Sequence, residues 1–267
     1  MSTPVIVVFD SGLGGLTVYR EVVKLLPGAR YVYCADDVCF PYSALDEATL
    51  TARVLDVMQG VQARYSPDLV VVACNTASTV ALPALRERFE TPFVGTVPAV
   101  KPAATASRSK LISVLGTEAT VQREYTRALI RDFAGECEVT LVGSTRLASI
   151  AEAELRGEAV DDAEIAREIA PCFVRKDGRR TDVVVLGCTH YPLLFERLRR
   201  LAPWPVEWLD PAPAIARRVA ELLDGGAEET AGEAALASFT SGKPPLAVLR
   251  RFGFEADPDP MPIASDG

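Results

Sequence analysis

A single histidine, at position 190, and no Cys-x-x-Cys pair leave this chain of 267 residues poorly supplied for a zinc site. No apolar stretch approaches the roughly 18 uncharged residues that suggest a membrane span. The N-terminus lacks the basic segment, apolar run and small-residue cleavage site of a signal peptide. A cytoplasmic chain without a membrane partner is therefore expected. Long runs of one charge sign are missing too. With 28 basic side chains against 36 acidic ones and a formal charge of -8, no direct nucleic-acid binding is expected.

What is present is enough apolar material, 49% of the residues, to bury a substantial core. The length allows one large domain or two smaller ones, and two is the working expectation. A chain of this size needs no disulfide staples, so the six cysteines are read as reduced thiols.

Short β-branched runs alternate with helical patterns: Val5-Phe9 then Leu16-Leu26, Tyr31-Ala35 then Glu47-Tyr65, Leu69-Ala73 then Ala77-Phe89. This is the rhythm of βα units around a parallel sheet, whose buried strands read as continuous apolar runs. It returns at Leu111-Leu115, followed by a helix near Val121-Phe133, and at Val183-Leu186, followed by one near Leu193-Leu201. The fold class is α/β. Thr96-Pro102 and Pro203-Trp204-Pro205 are candidate crossings between halves. Residues after Asp210 are expected to return to the first domain as a helix over Ala214-Leu223, and the proline- and aspartate-rich tail after Phe254 to be loosely ordered. The expected division is 1–97 with 210–267 as one domain and 98–209 as the other.

A weak internal repeat lays Asp68-Leu-Val-Val-Val-Ala-Cys74-Asn-Thr-Ala on Asp182-Val-Val-Val-Leu-Gly-Cys188-Thr-His-Tyr. Each half thus delivers a thiol at the carboxyl end of a buried strand. Ligands of parallel sheets gather there, beside helix N-termini with unpaired N–H groups. Two similar halves facing one another would close a cleft with one cysteine on each wall.

The first strand ends in Asp10-Ser11-Gly12-Leu13-Gly14-Gly15-Leu16-Thr17, a glycine-rich turn that looks at first like a dinucleotide fingerprint, and Asp36 stands where a ribose-binding acid would. Threonine occupies the third glycine position, however, and Asp10 would repel pyrophosphate. A tight turn packing a helix on a strand explains the glycines but not Asp10-Ser11.

A lone cysteine is most often a small buried hydrophobe. Cys74, however, is followed by Asn75 and Thr76, whose side chains, with the next helix's N–H groups, can hold a carboxylate. Cys188 lies in Gly187-Cys188-Thr189-His190-Tyr191-Pro192, beside the only imidazole. Two strand-end thiols, each with a hydroxyl neighbour and a candidate proton partner in Asp10 or His190, are not easily read as structural. Cys34, Cys39, Cys137 and Cys172 lack such surroundings and are read as structural.

Asp10-Ser11-Gly12-Leu13-Gly14-Gly15-Leu16, Pro41-Tyr42, Ala73-Cys74-Asn75-Thr76-Ala77, Gly116-Thr117 with Thr120, and Gly187-Cys188-Thr189-His190-Tyr191-Pro192-Leu193-Leu194 together resemble the glutamate racemases of the aspartate/glutamate racemase superfamily. The match runs in order to Phe239-Thr240-Ser241-Gly242, over nearly the full chain. The resemblance implies Cys74 and Cys188 as the two catalytic bases, Asp10 assisting the first and His190 the second. Glu152 matches an acidic position near the second thiol. Substrate contacts are implied for Asp10, Ser11, Tyr42, Ser43, Asn75, Thr76, Thr117, Thr120, Thr189 and His190. Also implied are two α/β domains related by a pseudo-two-fold with the active site in the cleft between them, a homodimer, no cofactor, and D-glutamate supply for peptidoglycan. The family usually has Pro-Tyr-Gly where this chain has Pro41-Tyr42-Ser43; serine fits if its φ is negative. Only a short stretch precedes Asp10, unlike the extension of members activated by a cell-wall precursor, so that regulation is not expected.

Racemisation removes the α-proton from one face and returns a proton to the other, so without a carbonyl cofactor it needs two acid/bases flanking one carbon. A free thiol titrates at about 8.5, close enough to neutrality for both states to be reached. The carbanionic transition state then calls for fixed donors around the α-carboxylate: helix N-termini, the Asn75 amide, and the Thr76 and Thr189 hydroxyls. The rival readings are a racemase of aspartate or another acidic amino acid and a non-catalytic nucleotide- or amino-acid-binding protein. The glycines favour the second rival and the paired thiols oppose it. No motif supports a protein-partner role such as gyrase inhibition.

Overall fold

A computed structural model describes residues 3–223 and 235–258. The chain divides into two compact units, one built from the residues up to Thr96 together with those from Ala212 onward, the other from Val97–Pro211. The first unit begins with β1 (Val5–Asp10), α1 (Leu16–Leu25), β2 (Arg30–Ala35), α2 (Glu47–Tyr65), β3 (Leu69–Val72), α3 (Asn75–Arg88) and β4 (Phe93–Gly95). The second holds α4 (Val100–Ala106), β5 (Leu111–Thr117), α5 (Glu118–Gln122), α6 (Glu124–Phe133), β6 (Glu138–Ser144), α7 (Leu147–Arg156) and α8 (Asp162–Ile169). It continues with β7 (Arg175–Lys176), β8 (Arg179–Arg180), β9 (Val183–Gly187), α9 (Phe195–Leu201) and β10 (Glu207–Leu209). The chain then re-enters the first unit with α10 (Ala212–Leu222), β11 (Ala235–Phe239), α11 (Leu246–Leu249) and β12 (Phe254–Ala256).

The first unit carries a six-stranded parallel sheet in the order β12-β11-β2-β1-β3-β4, and the second a four-stranded parallel sheet in the order β10-β9-β5-β6. The central strands are apolar throughout because both sheet faces are covered: every residue of β3 and β9 is buried. Against the first sheet α2 lays the stripe Leu50, Val54, Val57, Met58 and Val61, which packs with Val7, Val32, Val70 and Leu85. Asp46 starts this helix by accepting the Thr49 N–H at 2.9 Å, and Ser66 ends it with a left-handed φ of 43°. In the second unit Val100 and Ala103 of α4 pack on Ile112, Val114, Val183 and Val185.

Strand register sets the chemistry. In the first sheet Phe9 pairs with Val72 and the Ala73 N–H continues the ladder to Phe9 O, so Ser11 and Cys74 emerge side by side from β1 and β3. In the second sheet Gly116 pairs with Gly187, so Thr117 and Cys188 emerge together from β5 and β9.

Four expectations are corrected. The helix expected near Val121-Phe133 is two helices, because Arg123 leaves helical geometry at φ -67° and ψ 141°. The one near Leu193-Leu201 opens as a tight 3-10 turn over Tyr191–Leu194, where Pro192 suits a first turn. Pro203-Trp204-Pro205 is no crossing; Trp204 is buried within the second unit and donates its indole N–H to Thr181 O at 2.8 Å. The tail after Phe254 is ordered at its start. Phe254–Ala256 pairs with β11, and buried Asp257 accepts the Tyr65 hydroxyl at 2.5 Å. Residues 259–267 lie outside the described residues.

Candidate active site

In the first unit, Cys74 stands at the N-terminus of α3, buried, with its Sγ 3.9 Å from Ser11 Oγ. Asp10 is fully buried and accepts the Ser11 N–H at 2.7 Å through one oxygen and the Gly15 N–H through the other. Space is tight at Gly15: a Cβ there would lie 3.0 Å from Asp10 Cβ and 3.1 Å from both Ala73 Cβ and Tyr33 Oη, so those neighbours would have to give way. The chain's own carboxylate therefore occupies N–H donors that a dinucleotide turn would offer to pyrophosphate, which argues against the nucleotide reading.

Asp36, the would-be ribose acid, is engaged structurally as well. Its buried carboxylate accepts Arg53 Nε at 2.9 Å and Nη2 at 2.7 Å, the Tyr42 hydroxyl at 2.7 Å and the Thr240 hydroxyl at 2.8 Å. Burial alone would raise this carboxyl, but the bonds from Arg53, Tyr42 and Thr240 outweigh it and hold it below the usual carboxylate range. Conversely, burial and the Asp36 charge push the Tyr42 phenol well up. The Tyr42 hydroxyl thus anchors the 41–44 loop, whose turn is closed by the Ala44 N–H on Pro41 O, and Ser43 at its centre is half-buried. Ser43 lies in a 3-10 turn, Tyr42–Ala44, and is not among the positive-φ residues, so serine is accommodated without strain.

Asn75 points most directly to a ligand. It is 2% exposed, and neither its Oδ1 nor its Nδ2 has a hydrogen-bond partner in the protein. Buried amides are rarely left so, because each unmade bond costs on the order of 1–3 kcal/mol. Thr76 is buried beside it in the first turn of α3.

In the second unit, buried Cys188 Sγ lies 3.8 Å from His190 Nδ1, and His190 Nε2 lies 3.0 Å from Glu152 Oε1. Glu152 projects from α7, and its Oε2 accepts Arg156 Nη2 at 2.6 Å one turn along. Thr117 caps α5, its Oγ1 taking the Thr120 N–H at 3.2 Å and lying 2.9 Å from Thr120 Oγ1. Thr189 is buried next to Cys188. Thr117, Thr120, Thr189 and His190 therefore cluster at the carboxyl ends of β5 and β9, as Asp10, Ser11, Asn75 and Thr76 do at those of β1 and β3.

The other cysteines differ in character. Burial pushes the Cys34 thiol far up, the Cys172 thiol up to about 12, and the Cys137 thiol upward. Among the described residues no group of three or more His, Cys, Asp or Glu is placed to hold a metal ion, and no helix is long and apolar enough to cross a membrane. Sequence reasoning missed Arg53 and Arg156; the second carried a signal, since Glu152 and Arg156 have the spacing of one helical turn.

A family model described as Asp/Glu/Hydantoin racemase matches residues 6–219. A glutamate racemase of Brucella canis is 54% identical over 248 residues, covering 92% of this chain and 90% of that protein. A glutamate racemase of Mesorhizobium japonicum is 54% identical over 254 residues, covering 94% of this chain and 96% of that one. Among solved structures, Escherichia coli glutamate racemase in complex with L-glutamate and the activator UDP-MurNAc-ala matches with a TM-score of 0.88 at 45% identity, covering 96% of this chain and 97% of that chain. Overall similarity and the two strand-end thiol motifs agree: the chain belongs to the Asp/Glu/hydantoin racemase family, among the glutamate racemases.

Proposed function

We propose that the chain interconverts L- and D-glutamate without a cofactor, with Cys74 and Cys188 as its two acid/bases. The observation that carries this reading is the pair of buried thiols, each at the carboxyl end of a parallel strand, with the Ser11 hydroxyl near one, Asp10 bonded to the Ser11 N–H, and His190 near the other. One thiol enters as thiolate and takes the α-proton, and the other enters as thiol and returns a proton to the opposite face. From D-glutamate, Cys74 is the base; from L-glutamate, Cys188.

The remaining groups meet charge. The orphaned Asn75 amide offers a donor and an acceptor to the substrate, and the Thr76 and Thr189 hydroxyls supply further donors for the α-carboxylate. Thr117, Thr120 and Ser43 join them as substrate contacts. His190 takes the Cys188 proton through Nδ1 while Glu152 holds its other nitrogen. The family relationship supports a homodimer in the cytoplasm whose D-glutamate feeds peptidoglycan synthesis.

Incubating the purified protein with D-glutamate, free of pyridoxal phosphate and added metal, tests the activity. Optical rotation should decay to zero as the enantiomers reach equal concentrations. Turnover of aspartate but not glutamate would reassign the substrate, and no loss of rotation with either would overturn the reading.

A further inference from the structure

Arg156 is absent from the residues that the family resemblance implicates, yet its guanidinium lies 2.6 Å from a carboxylate that is almost wholly buried. Glu152 is 4% exposed at its side chain while Arg156 is 45% exposed, so a solvent-facing cation reaches inward to the base of a row that continues through His190 to Cys188. We propose that Arg156 is a positioning residue for the Cys188 half of the reaction, holding Glu152 ionised so that His190 can take and return the thiol proton. This inference rests on the two-thiol reading above.

The argument is one of charge alternation. An ionised Glu152 can only accept, so the proton on His190 Nε2 points to it and Nδ1 of the neutral ring is bare toward Cys188. When the Sγ–H bond breaks and Nδ1–H forms, the row reads guanidinium, carboxylate, imidazolium, thiolate, each charge next to its opposite. Without Arg156, a buried Glu152 has lost its neighbouring cation and competes for the imidazolium proton. The thiolate formed in the transfer then loses the positive charge beside it, and the step at Cys188 slows. Tyr191, the buried residue that follows His190, is a phenol and supplies no cation in exchange. Arg156 acts through Glu152, with which the structure pairs it.

The two proton transfers lie in series, one at each thiol, and this gives a readout that a structural defect does not move. The experiment compares native protein with Arg156→Ala and Arg156→Lys, measuring the primary isotope effect on kcat/KM with α-deuterated L-glutamate and, separately, α-deuterated D-glutamate. For Arg156→Ala, kcat/KM should fall roughly fivefold to tenfold, equally from both enantiomers because their equilibrium is fixed at unity. The isotope effect should rise from L-glutamate, whose proton goes to Cys188, and fall from D-glutamate, whose proton goes to Cys74. Arg156→Lys, which keeps the charge, should lie between native and alanine proteins. Isotope effects are ratios, so partial unfolding cancels. Unchanged effects from both enantiomers, or shifts in the opposite sense, would overturn the role given to Arg156. Racemisation that survives Cys188→Ser would instead overturn the two-thiol reading, whatever Arg156 does.

Discussion

His190 Nε2 and Glu152 Oε1 stand 3.0 Å apart, both side chains buried, and this contact orients the ring so that its other nitrogen faces the Cys188 thiol. The chain's single imidazole stands beside Cys188; Cys74 has the Ser11 hydroxyl at 3.9 Å, and the Ser11 N–H is held in turn by the Asp10 carboxylate. The two thiols thus have chemically different companions, and their proton transfers should respond differently to substitution.

Replacing His190 with Asn, or Asp10 with Asn, should therefore lower kcat unequally for the two directions, with KM shifting so that the enantiomer equilibrium stays at unity. His190→Asn should weigh on the step at Cys188 and Asp10→Asn on the step at Cys74. Steady-state assays started from each pure enantiomer provide the check. Equal loss of kcat in both directions for both variants would show that these side chains position substrate and do not serve one thiol each.

Thiol alkylation should inactivate the protein, and saturating glutamate should slow the loss. Iodoacetamide reacts with thiolates. Cys172, with its thiol pushed up to about 12, and Cys34, pushed higher still by complete burial, stay protonated at neutral pH. Peptide mass spectrometry of inactivated protein should find label on Cys74 or Cys188. Label on Cys34 or Cys39 with Cys74 and Cys188 unmodified would refute the site assignment.

The Asp36–Arg53 pair predicts a stability effect with a definite pH sign. Asp36 is fully buried and Arg53 largely so, so Arg53→Met leaves a buried carboxylate without its cation and should cost about 3 kcal/mol in urea unfolding at neutral pH. The folded-state pKa of Asp36 lies below its ordinary value of 3.8, so its contribution is complete above that value and is lost as pH falls below it. The stability gap between native and variant protein should accordingly narrow below about pH 4. A gap that stays constant down to pH 2 would mean that Arg53 acts through packing alone.

Much of this arrangement was legible in the sequence for a physical reason. Strands covered on both faces must be apolar throughout, so β1, β3 and β9 stood out as Val-rich runs, and the residue types just past their ends exposed Cys74 and Cys188. What stayed hidden depends on partners distant in sequence. The Asp36 carboxylate looked available until Arg53, Tyr42 and Thr240 closed around it. Strand β12 is three residues long in a proline- and aspartate-rich tail, and only its pairing with β11 makes it a strand. The β7–β8 hairpin has the Asp177-Gly178 turn signal but no apolar alternation; Arg175 and Arg180 stack on Trp204 at 4.8 and 5.7 Å instead. The family resemblance places Glu152 near the second thiol, and only the fold pairs it with His190, at 3.0 Å.

Cys74→Ser and Cys188→Ser in heavy water separate the two faces of the reaction. In native protein, substrate deprotonated on one side should mostly collapse to the opposite enantiomer, whose new α-hydrogen comes from the second thiol and so carries solvent deuterium. Each serine variant should lose racemisation in both directions, because a hydroxyl is a far poorer acid and base than a thiol near neutral pH. The surviving thiol can still exchange the proton on its own face. Any deuterium incorporated by Cys188→Ser should therefore enter D-glutamate with retained configuration, and any incorporated by Cys74→Ser should enter L-glutamate. Chiral chromatography coupled to mass spectrometry reads both labels at once. The opposite pattern would exchange the faces assigned to the two cysteines, and substantial racemisation in either variant would remove the two-thiol mechanism altogether.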